Sequence, residues 1–244
     1  LITNNDLHLN ESPNLNQKDI YNITGFDCSF GFLLILTDQI VFFTDSRYTL
    51  AATKFFPKKI EIYDIRKKSL CDYLMNLGSN FNGLVDTKLI STQQFLDINK
   101  ILSKAKIKIL PLKDVIYQKE YFPDFNRSYA FSLPKNYTPR NYEKNILWVK
   151  KRIKSEGLLI WNNSHIAYIL NIRSFELDNS TKPFAGLFIP KKNLKPIIIS
   201  NNSRLRNIIK IKNNFKLLSF ENFKLYLKKN YFKKIEFEFK YTNF

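Results

Sequence analysis

An internal repeat limits the fold of this chain more than any other feature of its sequence. Residues 1–5 match 159–163 and residues 22–27 match 171–176, at offsets of 158 and 149. Four more matches follow in the same order: 31–43 with 186–199, 60–65 with 215–220, 69–77 with 223–229, and 84–85 with 235–239. Six matches in one order indicate a duplication, so we predict two copies of one fold.

Each copy alternates segments that are typical of strands and of helices. Apolar runs bounded by turn residues predict strands in copy one at 31–36, 40–43, 60–65, 83–85 and 107–110. Apolar residues spaced three and four apart predict helices at 48–55, 69–77 and 91–105, and in copy two at 143–156. This alternation, which includes a hairpin at 31–43, predicts α/β domains, each with a mixed sheet flanked by helices.

Three helices carry local predictions. Ser91 and Gln94 form a capping box, in which the Ser91 hydroxyl accepts one free N–H and Gln94 reaches back to another. Helix 143–156 is expected to end at Gly157. The buried face of helix 48–55 is expected to consist of Tyr48, Ala51, Ala52 and Phe55.

The domain boundary is predicted where a polar segment ends near Asn141. Prolines punctuate that segment at 123, 134 and 139. The first domain is therefore predicted at 1–139 and the second at 140–244.

Each predicted domain lacks an element that the other has. Copy two opens with helix 143–156, and nothing before Leu1 corresponds to it. Copy one continues past strand 83–85 with a helix and a strand, whereas copy two stops at Phe244. We therefore expect the first domain to lack its first helix and the second to lack its C-terminal part.

The composition narrows the classes of partner. The net charge of +18 suggests nucleic acid, but eight of the 39 basic residues are Arg and the lysines are scattered along the chain. Since base reading favours Arg, nucleic acid is an unlikely partner.

No apolar run approaches the roughly 20 residues of a membrane helix, so no membrane partner is expected. Cys28 and Cys71 follow no metal or redox spacing, which indicates a reduced, cytoplasmic protein.

The corner 45–48 is the first candidate site, because Asp45, Ser46, Arg47 and Tyr48 directly follow an apolar run. It is either an acid–base site or a strand-to-helix joint, in which Asp45 or Ser46 accepts a free N–H of the next helix. Ser46 and Arg47 are repeated in copy two at 203–204, which favours the joint.

Cys28 and Ser29 are candidate nucleophiles only if a base lies nearby. The sequence does not place His8, the histidine of copy one, beside them, so we interpret both as turn residues. Arg173 stands where copy one has an uncharged Thr24. The Arg173 side chain is expected either to form a salt bridge between the two domains or to contact a ligand in a cleft.

His165, near a helix start, is interpreted as a surface or packing residue. Phosphate-binding, dinucleotide-binding and zinc-binding motifs are absent from the sequence. From the residues alone, the chain therefore carries no catalytic constellation.

Three segments resemble the N-terminal domains of cytoplasmic-type, three-domain Xaa-Pro aminopeptidases (aminopeptidase P). Residues 21–29, YNITGFDCS, and 42–48, FFTDSRY, are similar to the family patterns T-G-F-x-G-S-A-G and W-T-D-G-R-Y. Residues 166–174, IAYILNIRS, are similar to I-A-W-L-L-N-I-R-G. The landmark positions, to which we give structural roles, are Gly25, Phe26, Asp27, Ser29, Asp45, Arg47, Tyr48 and Asn171. The chain departs from the pattern at Cys28, Phe30, Ser46 and Ser174, where the family prefers Gly or Ala.

The resemblance implies two creatinase-like N-terminal domains with a ribonuclease H-like fold and no catalytic residue. In this family a third, pita-bread domain binds two metal ions, usually Mn²⁺, through two Asp, one His and two Glu. That domain is absent from this chain, so we expect no catalytic residue, metal ligand or cofactor here. A proline-containing peptide is then expected to be a substrate of the full-length enzyme alone. The resemblance is also compatible with a homodimer.

The N-terminal domains are expected to shape access to the active site and to aid assembly. Two alternatives stay open at this point: a stand-alone binding module without peptidase activity, and non-specific nucleic-acid binding through the high positive charge.

Overall fold

Short apolar runs form the strands of this chain, and amphipathic segments form its helices. The computed structural model describes residues 1–78, 81–112, 122–125 and 129–243, except for the side chains at 209–212. Its strands are β1 (Ile2–Thr3), β2 (Phe32–Ile35), β3 (Ile40–Thr44), β4 (Glu61–Asp64), β5 (Asn82–Val85), β6 (Lys108–Pro111), β7 (Ala130–Ser132), β8 (Gly157–Ile160), β9 (Ile172–Ser174), β10 (Gly186–Pro190), β11 (Ile197–Ile199), β12 (Lys216–Leu218) and β13 (Glu236–Phe237).

The α-helices separate these strands along the chain. They are α1 (Asp19–Thr24), α2 (Thr49–Phe55), α3 (Leu70–Asn76), α4 (Thr92–Leu102), α5 (Tyr142–Lys150), α6 (Asn163–Leu170), α7 (Leu205–Lys212) and α8 (Phe220–Lys229). Short 3₁₀ helices lie at Leu15–Gln17, Thr87–Leu89, Ser103–Ala105 and Lys135–Tyr137. Among the described residues, none of the helices is both long and apolar enough to cross a membrane.

The chain divides into two units. Unit 1 is Leu1–Tyr121 with Asn243–Phe244, and unit 2 is Phe122–Thr242. This division lies earlier than the predicted boundary at 139/140, because β7 belongs to unit 2. Phe131 of β7 pairs with Arg173 of β9 in an antiparallel ladder. The prolines of this segment therefore interrupt the second unit and do not end the first.

The sheet of unit 1 has the strand order β1-β2-β3-β4, and β5 pairs with β6 beside it. β2 and β3 form the predicted antiparallel hairpin, while β3 and β4 are parallel. Val41, Phe42 and Phe43 are fully buried, since α1 and α2 cover one face and α3 and α4 cover the other. This is a mixed sheet flanked by helices, as the alternation predicts.

The sheet of unit 2 has the order β12-β11-β10-β8-β13. β10 is antiparallel to both of its neighbours, and β11 is parallel to β12. Helices α5, α6 and α7 pack on one face around Leu187 and Ile198, and α8 packs on the other against Phe188. The strand directions repeat those of unit 1.

The register of the strands shows that the two sheets are copies. Ile2 pairs with Leu33 in unit 1, and Ile160 pairs with Leu187 in unit 2. Each copy also contains the same hydroxyl–carbonyl bond at the end of its third strand. The Thr44 hydroxyl donates to the Phe30 carbonyl at 2.7 Å, and the Ser200 hydroxyl donates to the Phe184 carbonyl at 3.1 Å.

Two of the sequence matches are shifted in the structure. The sheet register makes Phe32, and not Gly31, the equivalent of Gly186. Helices α1 and α6 both end on a left-handed residue, Gly25 and Asn171. These two residues are therefore equivalent, three positions away from the predicted match of 22–27 with 171–176.

The capping box of Ser91 and Gln94 is confirmed, since Ser91 Oγ accepts from the Gln94 N–H and Gln94 Oε1 accepts from the Ser91 N–H. The face of α2 differs from the prediction. Ala52 and Phe56 are buried, whereas Ala51 and Phe55 are exposed. The buried face thus follows an i, i+4 spacing that extends one residue past the helix.

Helix α5 is shorter than predicted, and Gly157 does not end it. The helix stops at Lys150, and Gly157 is the first residue of β8. A Cβ at this position would lie 2.5 Å from Cζ of Phe188. Packing of the sheet, and not helix termination, therefore requires glycine here.

Replacing Ser91 tests the capping box. Ser91→Ala removes an N-cap acceptor and should lower the free energy of unfolding by about 1 kcal/mol, as measured by urea denaturation. The control is Ser103→Ala at the other end of α4, where the exposed hydroxyl bonds only to the Lys100 carbonyl. Equal stabilities of the two variants would contradict the capping role.

Candidate functional site

The corner between β3 and α2 is held by Asp45. Its Oδ1 accepts from the Arg47 N–H at 2.9 Å, and its carbonyl accepts from the Tyr48 N–H at 3.1 Å. The Arg47 guanidinium also donates to both Asp45 oxygens, with Nη2 to Oδ2 at 2.7 Å. Hydrogen bonds from Arg47 lower the pKa of Asp45. Asp45 therefore shapes the turn before the helix. The prediction that Asp45 or Ser46 caps α2 is wrong, because the N-cap residue is Tyr48 and no side chain caps the helix.

Tyr48 connects this corner to the other landmark segment. Its hydroxyl donates to Ser29 Oγ at 3.0 Å. Next to Ser29, the Cys28 thiol is buried, and burial raises its pKa to about 12. The thiolate that a nucleophile needs is strongly disfavoured there.

Gly25, Phe26 and Asp27 have contacts within unit 1. Gly25 has a φ of 76°, which glycine adopts without strain. Phe26 packs edge-on against Phe42, with ring centroids 5.7 Å apart. Asp27 forms an ion pair with the buried Lys18 at 2.5 Å. Gly25 thus has a role in the turn, and the side chains of Phe26 and Asp27 have packing and ion-pair contacts.

The equivalent corner of unit 2 repeats the turn with an amide in place of the carboxylate. Asn202 Oδ1 accepts from the Arg204 N–H at 2.9 Å, and its carbonyl accepts from the Leu205 N–H. The Asn202 side-chain amide donates to the carboxylate of Glu176, which also accepts from the Phe184 N–H. The strand-to-helix joint is therefore present in both units. In unit 2 it is also hydrogen-bonded to the buried carboxylate of Glu176.

Glu176 is the most unusual titratable group of this network. It is 3% exposed, and burial raises its pKa, while hydrogen bonds from Phe184, Asn202 and Ser174 partly oppose the rise. Sequence reasoning missed this residue. A Glu between Phe175 and Leu177 was the available signal, because an isolated charge in an apolar run is buried only with partners.

Asn171 and Arg173 lie around the end of α6. Asn171 has a φ of 52°, and its side-chain amide donates to the Arg140 carbonyl at 2.8 Å. Arg173 Nη1 donates to the carbonyls of Ala167 and Ile172 at 3.0 and 2.9 Å. These bonds place the Arg173 guanidinium beside the last turn of α6 and the start of β9, and a cation is favourable near a helix C-terminus. The cleft contact of Arg173 stays a prediction.

Unit 2 also contains a cavity of about 550 Å³, between α5, α6 and the strand pair β8 and β13. Ile153 and Tyr168 contribute to its apolar wall. At its rim, His165 Nδ1 lies 3.6 Å from Glu238 Oε2. The described residues that line it include no Ser, Thr or Cys, so the cavity suits binding and supplies no nucleophile of these three residue types.

A metal centre would need several ligands on neighbouring elements. Within the part of the chain that the structure describes, no group of three or more His, Cys, Asp or Glu side chains could hold a metal ion.

Glu176 gives a prediction about pH. Because the pKa of Glu176 is raised in the native state, the folded protein binds the Glu176 carboxyl proton more tightly than the unfolded chain does. The stability that comes from this protonation is complete below the pKa of the unfolded chain and is lost as pH rises through the pKa of the folded protein. Glu176→Gln cannot ionise. Its free energy of unfolding relative to the parent protein should therefore increase as pH is raised from about 4 to about 7, in urea titrations at several pH values.

The matched control is Glu221→Gln, because Glu221 is exposed in the first turn of α8. It reports the general effect of removing one negative charge. The same pH trend in both variants would show that burial of Glu176 is not its cause.

Comparisons with known proteins connect this geometry to a family. Residues 5–118 match the family model of the Creatinase/Prolidase N-terminal domain. A probable Xaa-Pro aminopeptidase P of Laccaria bicolor is 27% identical over 177 residues, which cover 67% of this chain and 27% of that protein. Xaa-Pro aminopeptidase 1 of Dictyostelium discoideum is 21% identical over 224 residues, which cover 85% of this chain and 35% of that protein.

A solved structure shares the fold. The crystal structure of X-prolyl aminopeptidase from Caenorhabditis elegans, described as a cytosolic enzyme with a di-nuclear active site, matches with a TM-score of 0.82. The match covers 97% of this chain and 41% of that one, at 13% sequence identity. The chain thus spans about a third of the length of the curated relatives. Residues 5–118 thus match the creatinase/prolidase N-terminal domain family, and the relatives and the solved structure that the chain resembles are named as Xaa-Pro or X-prolyl aminopeptidases.

Proposed function

We propose that this chain is the non-catalytic N-terminal portion of an Xaa-Pro aminopeptidase. The whole enzyme would release the N-terminal residue from peptides that have proline in second place. The observation that carries this proposal is the family match over residues 5–118, together with relatives named for this activity that are about three times as long.

The residues that the structure describes do not support a two-metal centre within this chain. Its described part offers no group of three metal-binding side chains, and Cys28 is a buried thiol with a raised pKa. In our proposal the two Mn²⁺ ions and their ligands belong to a further domain. The two units described above would narrow access to that domain and support assembly, including a homodimer.

We also propose a cytoplasmic location. The Caenorhabditis elegans enzyme with the same fold is described as cytosolic. Cys28 and Cys71 are both free thiols, which is usual in a reducing compartment.

The test compares the 244-residue chain with the whole product of the gene that encodes it. Both are incubated with Arg-Pro-Pro and Mn²⁺, and free Arg is measured. We expect the whole product to release Arg and the 244-residue chain to release none. Arg-Ala-Pro serves as the control peptide, because it lacks proline in second place.

Two results would contradict the proposal in different ways. Mn²⁺-dependent release of Arg by the 244-residue chain would overturn its non-catalytic assignment. A whole gene product without activity towards Arg-Pro-Pro would instead favour a stand-alone binding module.

A further inference from the structure

Unit 2 gathers lysines that are far apart in sequence at one end of its sheet. β8 and β13 both begin at this end, and β10, which is antiparallel to β8, finishes there. The segments that precede β8 and β13 and follow β10 therefore meet. We call residues 150–156, 191–195 and 228–234 the basic end.

Hydrogen bonds join the three segments of the basic end directly. The Glu156 N–H donates to the Lys234 carbonyl at 3.1 Å, and the Glu156 carbonyl accepts from the Lys191 N–H at 2.9 Å. Lys150 Nζ donates to the Leu194 carbonyl at 3.4 Å. The three segments thus form one continuous surface within unit 2.

The basic end carries a large excess of positive charge. It contains eleven basic residues and one acidic residue, a net +10 of the +18 of the whole chain. Ten of the eleven basic side chains are exposed, and Lys150 is half-buried. The basic residues are Lys150, Lys151, Arg152, Lys154, Lys191, Lys192, Lys195, Lys228, Lys229, Lys233 and Lys234.

The nearby carboxylates of Glu156 and Glu236 accept hydrogen bonds from backbone N–H groups. Glu156 Oε2 accepts from the N–H groups of Lys233 and Lys234, and these bonds lower its pKa. Glu236 Oε1 accepts from the N–H groups of Lys154 and Ser155. Among the described side chains, neither carboxylate forms an ion pair with a lysine ammonium group of the basic end, and ten of the eleven basic side chains are exposed to solvent.

Helix dipoles explain only part of this arrangement. Lys150 lies in the last turn of α5, and Lys228 and Lys229 lie in the last turn of α8, where cations stabilise a helix. Residues 191–195, in contrast, form the turn of the β10–β11 hairpin. Three lysines in so short a turn repel each other, which favours an external anionic partner.

Apolar side chains are exposed among these charges. Leu194, in the hairpin turn, is 38% exposed, and Tyr231, after α8, is 82% exposed. Trp148 on α5 is 47% exposed, and the guanidinium of Arg152 lies 3.7 Å from its ring centroid. Lysines combined with exposed aromatic and aliphatic side chains are typical of proteins that dock on anionic membranes.

We propose that the basic end is a docking surface for an anionic phospholipid bilayer. Lysines would face the lipid phosphates, while Leu194 and Tyr231 would enter the headgroup region. Leu194 favours a bilayer over nucleic acid, because an aliphatic side chain provides no stacking surface for a base. The composition agrees, since ten of the eleven cations are Lys and nucleic-acid recognition favours Arg.

This inference goes beyond the proposed function and does not depend on it. It replaces the sequence-based expectation that the protein has no membrane partner, which rested on the absence of a spanning segment. A surface contact needs no such segment.

The experiment measures co-sedimentation of the 244-residue chain with vesicles of phosphatidylcholine alone or with roughly one third phosphatidylserine. We expect binding to the anionic vesicles alone, and binding should weaken as salt is added. The variant K191Q/K192Q/K195Q removes three exposed charges on the hairpin turn and leaves the side-chain hydrogen bonds described above in place. At about 1 kcal/mol for each lysine, it should lower the partition constant roughly a hundredfold.

Two controls separate this surface from the general charge of the protein. The variant K54Q/K58Q/K59Q removes three exposed lysines of unit 1 and should leave vesicle binding within about twofold of the parent. Leu194→Ser should weaken vesicle binding while the circular dichroism spectrum stays unchanged. Equal losses in the two triple variants would overturn the proposal.

A binding titration with nucleic acid completes the test. A single-stranded oligonucleotide is titrated against the same proteins at the same salt concentration. Tighter binding to the oligonucleotide than to anionic vesicles, or loss of oligonucleotide binding in Leu194→Ser, would overturn the bilayer assignment. Failure to bind anionic vesicles at low salt would overturn it as well.

Discussion

Complete burial of the middle strands is the constraint on which both units depend. Val41, Phe42 and Phe43 of β3 have no exposed surface, and Ile197 and Ile199 of β11 have none either. A strand with apolar side chains on both faces needs helices on both sides of its sheet. The neighbours must also pair with it along its whole length, because a slip of one residue would exchange the two faces. The register is therefore the same in both copies.

The joint after this strand follows from the same constraint. In each copy a hydroxyl at the strand end, Thr44 or Ser200, donates to the carbonyl of the residue two positions before the preceding strand, β2 or β10. Next, an Asx turn at Asp45 or Asn202 directs the chain into a helix. Side chains that look like an acid–base pair in sequence thus form hydrogen bonds that shape a turn, which agrees with the proposal that catalysis belongs to another domain.

Much of the fold was predictable because its signals are local. The hairpin at 31–43 and the Ser91 capping box depend on residues a few positions apart, and both were identified from sequence. The end of α5 was not, because Gly157 is required by the ring of Phe188, 31 residues away. The pairing of β7 with β9 likewise joins residues about forty positions apart, which no local pattern records.

The candidate sites show the same limit. The turn at 45–48 was recognised from its repeat, whereas the Glu176 network depends on contacts across a long loop. The lysines of the basic end look scattered in the sequence, and the sheet directions bring them together. Chemistry that depends on which strand ends meet is hidden until the topology is known.

Amide hydrogen exchange measured by mass spectrometry tests the central claim, that one buried-strand sheet is built twice. Slow exchange is expected at 41–44 in unit 1 and at 197–199 in unit 2, with fast exchange in the exposed turn residues 192–195. If 197–199 exchanged as fast as 192–195 while 41–44 stayed protected, the second unit would lack the buried strand, and the duplication of the sheet would be contradicted.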